Sequence, residues 1–425
     1  MASQSTFIQQ SRSGPVQPKE RIEIIDILRG FALLGILLVN MDLFINPVET
    51  AVFPPDPGKP FIDKITYWFI RFLAEGKFYS LFSLLFGLGF AIQMDRAAEK
   101  SVKFGGVYFR RILILLLFGF IHAFYIWVGD ILMLYAVTGL ILLLFRKAKP
   151  KTLIVWSIIL FSIPVLMQSS GVVAVELGRM DPDAAAEIEK SLATQDSTYR
   201  ANIAAGYEVY PHGNFTEITA QRRKDMKFMG FVSIILLPNV LAMFLIGLYF
   251  GKRKLLHNAS ENLALFRKLL RWAIFAGIPM NILFATLKIS VSPIEPTPMV
   301  VLMITAMVVG APLLCLGYVS MIVFLVQKQP GLNLLNKLAP VGRLALTNYL
   351  GQSIACTLIF YGYGLGFFGQ VGTTVGLLLT VAIFLTQVAL SNWWVKRFRF
   401  GPAEWLWRSL TYWKLQPMKL SSAQN

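Results

Sequence analysis

The sequence predicts an all-α protein, a bundle of about ten transmembrane helices with both termini on the cytoplasmic side. Three observations carry that expectation. Apolar runs near 20 residues long recur through the 425-residue chain, and such a run can cross a hydrocarbon core of about 30 Å as a helix. The composition is 56% hydrophobic and only 15% charged, with a mean hydropathy of +0.60, where soluble domains are about 45–50% apolar and about a quarter charged. Lys and Arg collect in short segments beside the apolar runs, which is the positive-inside pattern. Helices are favoured because each span must satisfy its own backbone polar groups, and the weak alternation of a membrane barrel is absent.

The same distribution excludes a nucleic-acid partner, although the net charge is +17 and the pI about 9.8. Cys315 and Cys356 both fall inside apolar runs, so neither a disulfide framework nor a zinc-ligand spacing exists, and no metal is expected. Residues 1–24 carry no apolar signal core, which makes the first span an uncleaved anchor.

In chain order, residues 1–20 read as a disordered cytoplasmic tail and 21–400 as the transmembrane domain. Span one covers 24–45, and a Pro-rich outer loop follows. Segment 61–75 is amphipathic and reads as an interfacial helix. Spans two (77–94), three (110–128) and four (130–146) come next, the last two forming a hairpin at Gly129-Asp130. Span five (152–174) leads to the longest polar stretch, 176–226, expected outside with short helices. Its Arg222, Arg223 and Lys224 are a local exception to the charge rule. Spans six (228–250), seven (272–290), eight (299–326), nine (344–366) and ten (372–394) complete the set, and 401–425 reads as a Trp- and Arg-rich interfacial or cytoplasmic segment. Alternating sides places every other large basic cluster in the cytoplasm.

An ionisable group inside a span is a functional candidate by default. Asp26 and Arg29, three apart, share a helix face; they can form a snorkelling interfacial pair or anchor an anionic ligand. His122 is the histidine inside a span, either a proton-transfer group or a neutral core imidazole. Asp130 can cap span four or orient His122. Eight residues of straight helix measure about 12 Å, so contact between the two requires a break near Trp127–Gly129. Span nine carries Arg343, Thr347, Asn348, Tyr349, Gln352 and Ser353 at helical spacing, a stripe fit for a cavity lining or for joining helices. Glu404 and Arg408, four apart, can pair along a helix. Small residues on spans two and eight allow close packing or a homodimer. There is no P-loop, Rossmann fingerprint, HExxH or GxSxG triad motif.

The stretches RIEIIDILRGFALLGILLVNM (21–41), EGKFYSLFSLLFGLGFAIQ (75–93), FGFIHAFYIWVGDILMLYAVTGL (118–140), VGRLALTNYLGQS (341–353) and GPAEWLWR (401–408) resemble, in this order, the blocks of the YeiB-like bacterial membrane protein family, labelled a domain of unknown function. That family is similar to the transmembrane acyltransferases, among them heparan-α-glucosaminide N-acetyltransferase and the O-acetylases of bacterial polysaccharides. The resemblance implies a multi-pass protein of the bacterial inner membrane that takes an acyl group from cytoplasmic acyl-CoA and passes it to an acceptor at or beyond the membrane. It implies that Arg29, Arg110 and Arg111 bind CoA phosphates, with Asp26, Arg343 and Asn348 from the two polar faces beside them. His122 becomes the general base or the acyl-carrying nucleophile. Two departures stand out. Asn40 occupies the place, eleven positions after Arg29, where the O-acetylase relatives carry a histidine, and 42–75 holds no histidine.

Three functions are therefore expected in turn: an acyl-CoA-dependent acyltransferase, a permease for a small molecule or lipid, and a non-catalytic membrane factor. All three would have membrane lipids as neighbours.

Overall fold

Proline and glycine set where the helices start and stop. The computed structural model describes residues 22–101, 104–328 and 333–420, so the tail expected over 1–20 lies outside the described residues. Helix α1 spans Glu23–Ile45, α2 Phe61–Leu73 and α3 Lys77–Glu99. Gly76, at a φ of 85°, makes the turn between α2 and α3, a backbone region that glycine enters without steric cost. Helices α4 (Phe104–Ile121) and α5 (Leu132–Leu142) form the expected hairpin. Then come α6 (Pro150–Gly178), α7 (Pro182–His212) and α8 (Phe215–Lys252), two of them with Pro at the first turn, where its missing N–H costs nothing. Helices α9 (Leu263–Trp272) and α10 (Ile278–Lys288) join through a π-turn at Ala273–Gly277, and α11 covers Pro298–Lys328. The chain ends with short α12 (Asn333–Asn336) and α13 (Leu338–Arg343), then α14 (Ala345–Phe360), α15 (Thr373–Trp394) and α16 (Pro402–Tyr412).

The chain is an all-α membrane bundle, and among the described residues the β-type pairing is an isolated bridge between Phe398 and Lys419. Among the described residues, eight helical stretches are long and apolar enough to cross a membrane. They turn apolar side chains outward, as Val155, Ile158 and Leu166 do on α6. Two of the ten expected spans are shorter. Leu132–Phe145 starts late because the chain is extended before it, and α14 stops at Phe360, after which the chain folds back: Leu365 and Phe368 donate backbone N–H groups to Leu358 and Phe360. The polar stretch 176–226 differs more. It holds one 31-residue helix, α7, and the first turns of α8, locked by a capping box in which Asn214 and Glu217 exchange bonds. Helix α2 is amphipathic as expected, but its polar face is the inner one. Asp63 and Arg71 are buried while Phe61, Phe69 and Leu73 are exposed. Arg71 reaches Asp42 of α1 and Glu75 at 3.2 Å, and Lys77 donates to the Arg71 carbonyl at 2.9 Å, so the charges satisfy one another inside.

Backbone contact at glycines sets the two crossings that frame the interior. A Cβ on Gly87 of α3 would lie 1.9 Å from the Phe244 carbonyl oxygen of α8, and one on Gly247 of α8 would lie 2.0 Å from that of Leu84. Likewise Gly30 of α1 abuts the Leu338 carbonyl and Gly342 of α13 abuts that of Asp26. Small residues of this kind let helices touch backbone to backbone in lipid. The glycines of the expected dimer faces are packed within the chain: Gly310 and Gly317 of α11 meet Asn281 and Ala273.

Replacing Gly247 by Leu is expected to lower the thermal unfolding midpoint of the detergent-solubilised protein, by more than the about 1–3 kcal/mol usual for overpacking because the obstacle is backbone. Gly230→Leu on the same helix, with open space around its Cβ, is expected to leave the midpoint in place. Equal midpoints for the two variants would contradict the crossing.

Candidate functional site

His122 sits where α4 gives out. The helix widens into a π-turn at His122–Ile126, closed by the Trp127 N–H donating to the His122 carbonyl at 2.8 Å. Trp127 is then extended, with φ −155° and ψ 133°. This is the break that contact with Asp130 requires. Asp130 does two jobs at once: Oδ1 accepts the Met133 N–H at 2.8 Å at the start of α5, and Oδ2 lies 2.8 Å from His122 Nδ1. A carboxylate only accepts, so Nδ1 carries a proton. In the neutral ring, Nε2 is then the acceptor, and Ser353 Oγ lies 2.9 Å from it. His122 and Ser353 are buried. The three side chains form a Ser–His–Asp relay across α4, the break and α14.

Helix α14 divides its polar stripe between two tasks. Asn348 donates to Ser391 Oγ at 3.0 Å and to the Val341 carbonyl at 3.1 Å. Gln352 donates to Gln387 at 2.9 Å, and Gln387 donates to the Asn348 carbonyl at 2.8 Å. That face joins α14 to α15, and Asn348 is not among the residues that line the cavity at the end of the bundle. The other face presents Tyr349 and Ser353. The Tyr349 ring packs on the His122 ring at 5.1 Å between centroids.

Tyr349 also lines a cavity of about 370 Å³. The cavity lies at the end of the bundle formed by the start of α1, the end of α3, the start of α4, α13 and α16, and its deeper wall is apolar and aromatic, with Ile36, Phe86, Leu132 and Tyr135. Among the described residues six cations line it, Arg29, Arg96, Lys100, Arg111, Arg343 and Arg408, against two acids, Asp26 and Glu404. Asp26 is committed to Arg29 at 3.3 Å and Arg343 at 3.5 Å. Glu404 is committed to the first turn of α14. It accepts from the Leu346 and Thr347 N–H groups at 2.6 and 3.1 Å and from the Thr347 hydroxyl, as an acid at a helix N-terminus should. Burial lifts the Glu404 carboxyl above its ordinary range, and the bonds from Thr347 and Leu346 work against that lift. Among the described residues Glu404 therefore forms no close salt bridge with Arg408 four residues on, although its charge still acts on Arg408, which lies over the Phe400 ring at 4.8 Å. The Arg408 guanidinium is pushed down to about 10 by burial and by the like charge of Arg111. Arg111 stacks on Trp407 at 4.1 Å, and the Trp407 indole donates to the Arg111 carbonyl at 2.9 Å. The cavity is an excess of positive charge over an apolar floor.

Of the residues singled out from sequence, His122 meets Asp130, and Asp26, Arg29, Arg111 and Arg343 share the cavity. Arg110 is not among its lining residues. Arg96, Lys100 and Arg408 belong to the cavity but were not foreseen as a group; their signal is only that basic residues flank the ends of neighbouring helices. Ser353 was visible as a member of the stripe, with no sign of its partner.

The sequence profile of a family described as "Protein of unknown function (DUF418)" matches residues 250–414. The chain is 36% identical over 423 residues to "Uncharacterized protein YxaH" of Bacillus subtilis (strain 168), covering 95% of this chain and 97% of that one. It is 28% identical over 407 residues to "Uncharacterized protein YeiB" of Escherichia coli (strain K12), covering 92% and 96%. No solved structure matches.

Glu404→Ala is expected to free α16 from α14, exposing 402–420 to limited proteolysis and costing about 1–3 kcal/mol for the buried N–H groups left unpaired. Glu404→Gln, which keeps acceptor oxygen but no charge, should fall between the two. A protease pattern unchanged in Glu404→Ala would show that other contacts hold the segment.

Proposed function

From a chain that belongs to the DUF418 family of YeiB and YxaH, we propose an acyltransferase of the bacterial inner membrane, with both termini cytoplasmic, that draws its acyl group from cytoplasmic acyl-CoA. The supporting observation is the continuity between the cation-lined cavity and the buried relay: Tyr349 lines the first and packs on the second. A donor with several phosphates and an apolar or thioester-bearing arm matches that polarity. Its phosphates would lie among Arg29, Arg111, Arg343 and Arg408, where bidentate guanidinium contacts are strong, and its arm would run along the aromatic floor. His122, oriented by Asp130, has an acceptor nitrogen in the neutral state. It can take a proton from an attacking hydroxyl and return it to the leaving thiolate, a contribution of about 10²–10⁴-fold to rate.

Purified protein in nanodiscs, given acetyl-CoA and longer acyl-CoAs, should bind at least one and release free CoA slowly. Arg29→Ala and Arg408→Ala should weaken binding about tenfold each, in line with the about 1.5–3 kcal/mol of a hydrogen bond to a charged group. His122→Ala should keep binding and lose about 10²–10⁴-fold in CoA release. Failure of every acyl-CoA to bind would remove this reading.

A permease is the second reading, favoured by the prolines inside three membrane-length helices, Pro164, Pro238 and Pro312, each of which removes one rung of the helical hydrogen-bond ladder where a continuous helix could bend. Solute flux in proteoliposomes, retained in His122→Ala, would bring it forward.

A further inference from the structure

The serine hydroxyls of this chain show what a helical serine does when it has no task. Ser80, Ser157, Ser169, Ser233 and Ser320 each donate to the carbonyl four residues earlier, at 2.6 to 2.8 Å. That back-bond is the ordinary way to satisfy a hydroxyl inside a membrane helix. Ser353 does otherwise. Its distance to the Tyr349 carbonyl is 3.4 Å, whereas Nε2 of His122 is 2.9 Å away. The hydroxyl has turned from its own backbone to the imidazole, and the imidazole is held on its far side by Asp130 at 2.8 Å. A base within hydrogen-bond reach of a hydroxyl, itself oriented by a carboxylate, is the arrangement that activates a nucleophilic serine.

We propose that Ser353 is the nucleophile that carries the acyl group, so that transfer passes through a covalent acyl-serine. This rests on the acyltransferase reading above and adds to it a two-step course with an ester intermediate. Ser353 Oγ attacks the thioester carbonyl carbon while its proton moves to His122 Nε2. The C–S bond breaks, and that proton leaves with the CoA sulfur as free thiol. In the second step an acceptor hydroxyl gives its proton to Nε2 and attacks the ester carbonyl, and Ser353 Oγ leaves with the proton it had lost. No oxidant, reductant or further reactant enters.

The placement suits that course. Ser353 lies one turn beyond Tyr349 on the same face of α14, about 6 Å further from the cation-lined end. Phosphates held at the start of α14 thus leave the reactive end of a donor arm to travel inward. Ser353 is 1% exposed, so Tyr349 is the ring that must rotate for the thioester to arrive. A tetrahedral adduct also needs N–H donors for its oxyanion. The indole N–H of Trp127 is buried with no hydrogen-bond partner among the described residues, on a ring standing edge-on to His122 at 6.3 Å between centroids.

The test uses the full chain in nanodiscs and two probes, acetyl-CoA and a fluorophosphonate, each followed by acid quench and peptide mass spectrometry. Thermal melts establish that each variant is folded. We expect one acetyl mark from acetyl-CoA, on Ser353, and one fluorophosphonate adduct on the same residue. Ser353→Ala should still bind acetyl-CoA and lose both marks. His122→Ala should slow marking about 10²–10⁴-fold. Ser353→Cys should take the acetyl group as a thioester that neutral hydroxylamine removes. Turnover by the wild type that survives in Ser353→Ala, with no mark on Ser353, would overturn the proposal and leave direct transfer by His122 standing. A His122-dependent fluorophosphonate adduct on Ser353 without acyl-CoA binding would keep the nucleophile and remove the donor. Absence of both marks on a folded wild-type protein would overturn the serine.

Discussion

A helix that stops inside a membrane bundle must find partners for its freed backbone groups, and this requirement governs the region around His122. Water is not there to serve, and each orphaned group costs several kcal/mol. The π-turn returns the Trp127 N–H to the His122 carbonyl. Arg222 of α8 donates to the Phe124 carbonyl at 3.0 Å, and Asp130 takes the Met133 N–H. The interruption is thereby filled with polar side chains from three elements. Asp130 was drawn in to close the helix start, and its second oxygen is left pointing at the imidazole. The His122–Asp130 contact is a by-product of satisfying the backbone.

Electrostatics at the cation-lined end follow from a similar economy. Among the described residues two acids face six cations there, but each acid is already bound to something structural. Asp26 is pinned between Arg29 and Arg343 beside the α1–α13 contact, where Gly30 and Gly342 bring the two backbones together. Glu404 is consumed by the exposed N–H groups at the start of α14. What remains is Arg111 and Arg408 close enough to repel each other across a partly desolvated space. Glu404 and Tyr412 offset part of that repulsion, and on the proposed function an anionic donor would relieve more of it. On the proposed function, the charge imbalance would serve donor binding as well as insertion.

The long apolar runs were legible because hydropathy is a one-dimensional property. So was the condition on His122 and Asp130, because eight residues of unbroken helix are too long for contact. Other features depended on rotation and rank. The moment of α2 was evident, yet its charged face turns inward because Asp42, Glu75 and Arg71 satisfy one another better than water at an interface would. The 176–226 stretch reads as polar, but the Asn214–Glu217 capping box that lets α8 begin so early is a local signal easily lost beside the charge pattern. Glu404 and Arg408 have the spacing of a helical pair, and a stronger claim on Glu404 by three hydrogen-bond donors from α14 cancelled it.

The stripe on α14 shows why the relay could not be read from spacing. Periodicity places Asn348, Tyr349, Gln352 and Ser353 on one broad face, but it does not say which edge looks at which neighbour. That is decided by the bonds from Asn348 to Ser391 and from Gln352 to Gln387. Between membrane helices such bonds contribute about 0.6–2 kcal/mol each. Several on one edge fix the helix about its own axis. Rotating α14 by the 100° of a single residue would carry Ser353 off His122 and break these bonds together. The half of the stripe that bonds to α15 is thus what aims the half that faces the cavity and the imidazole.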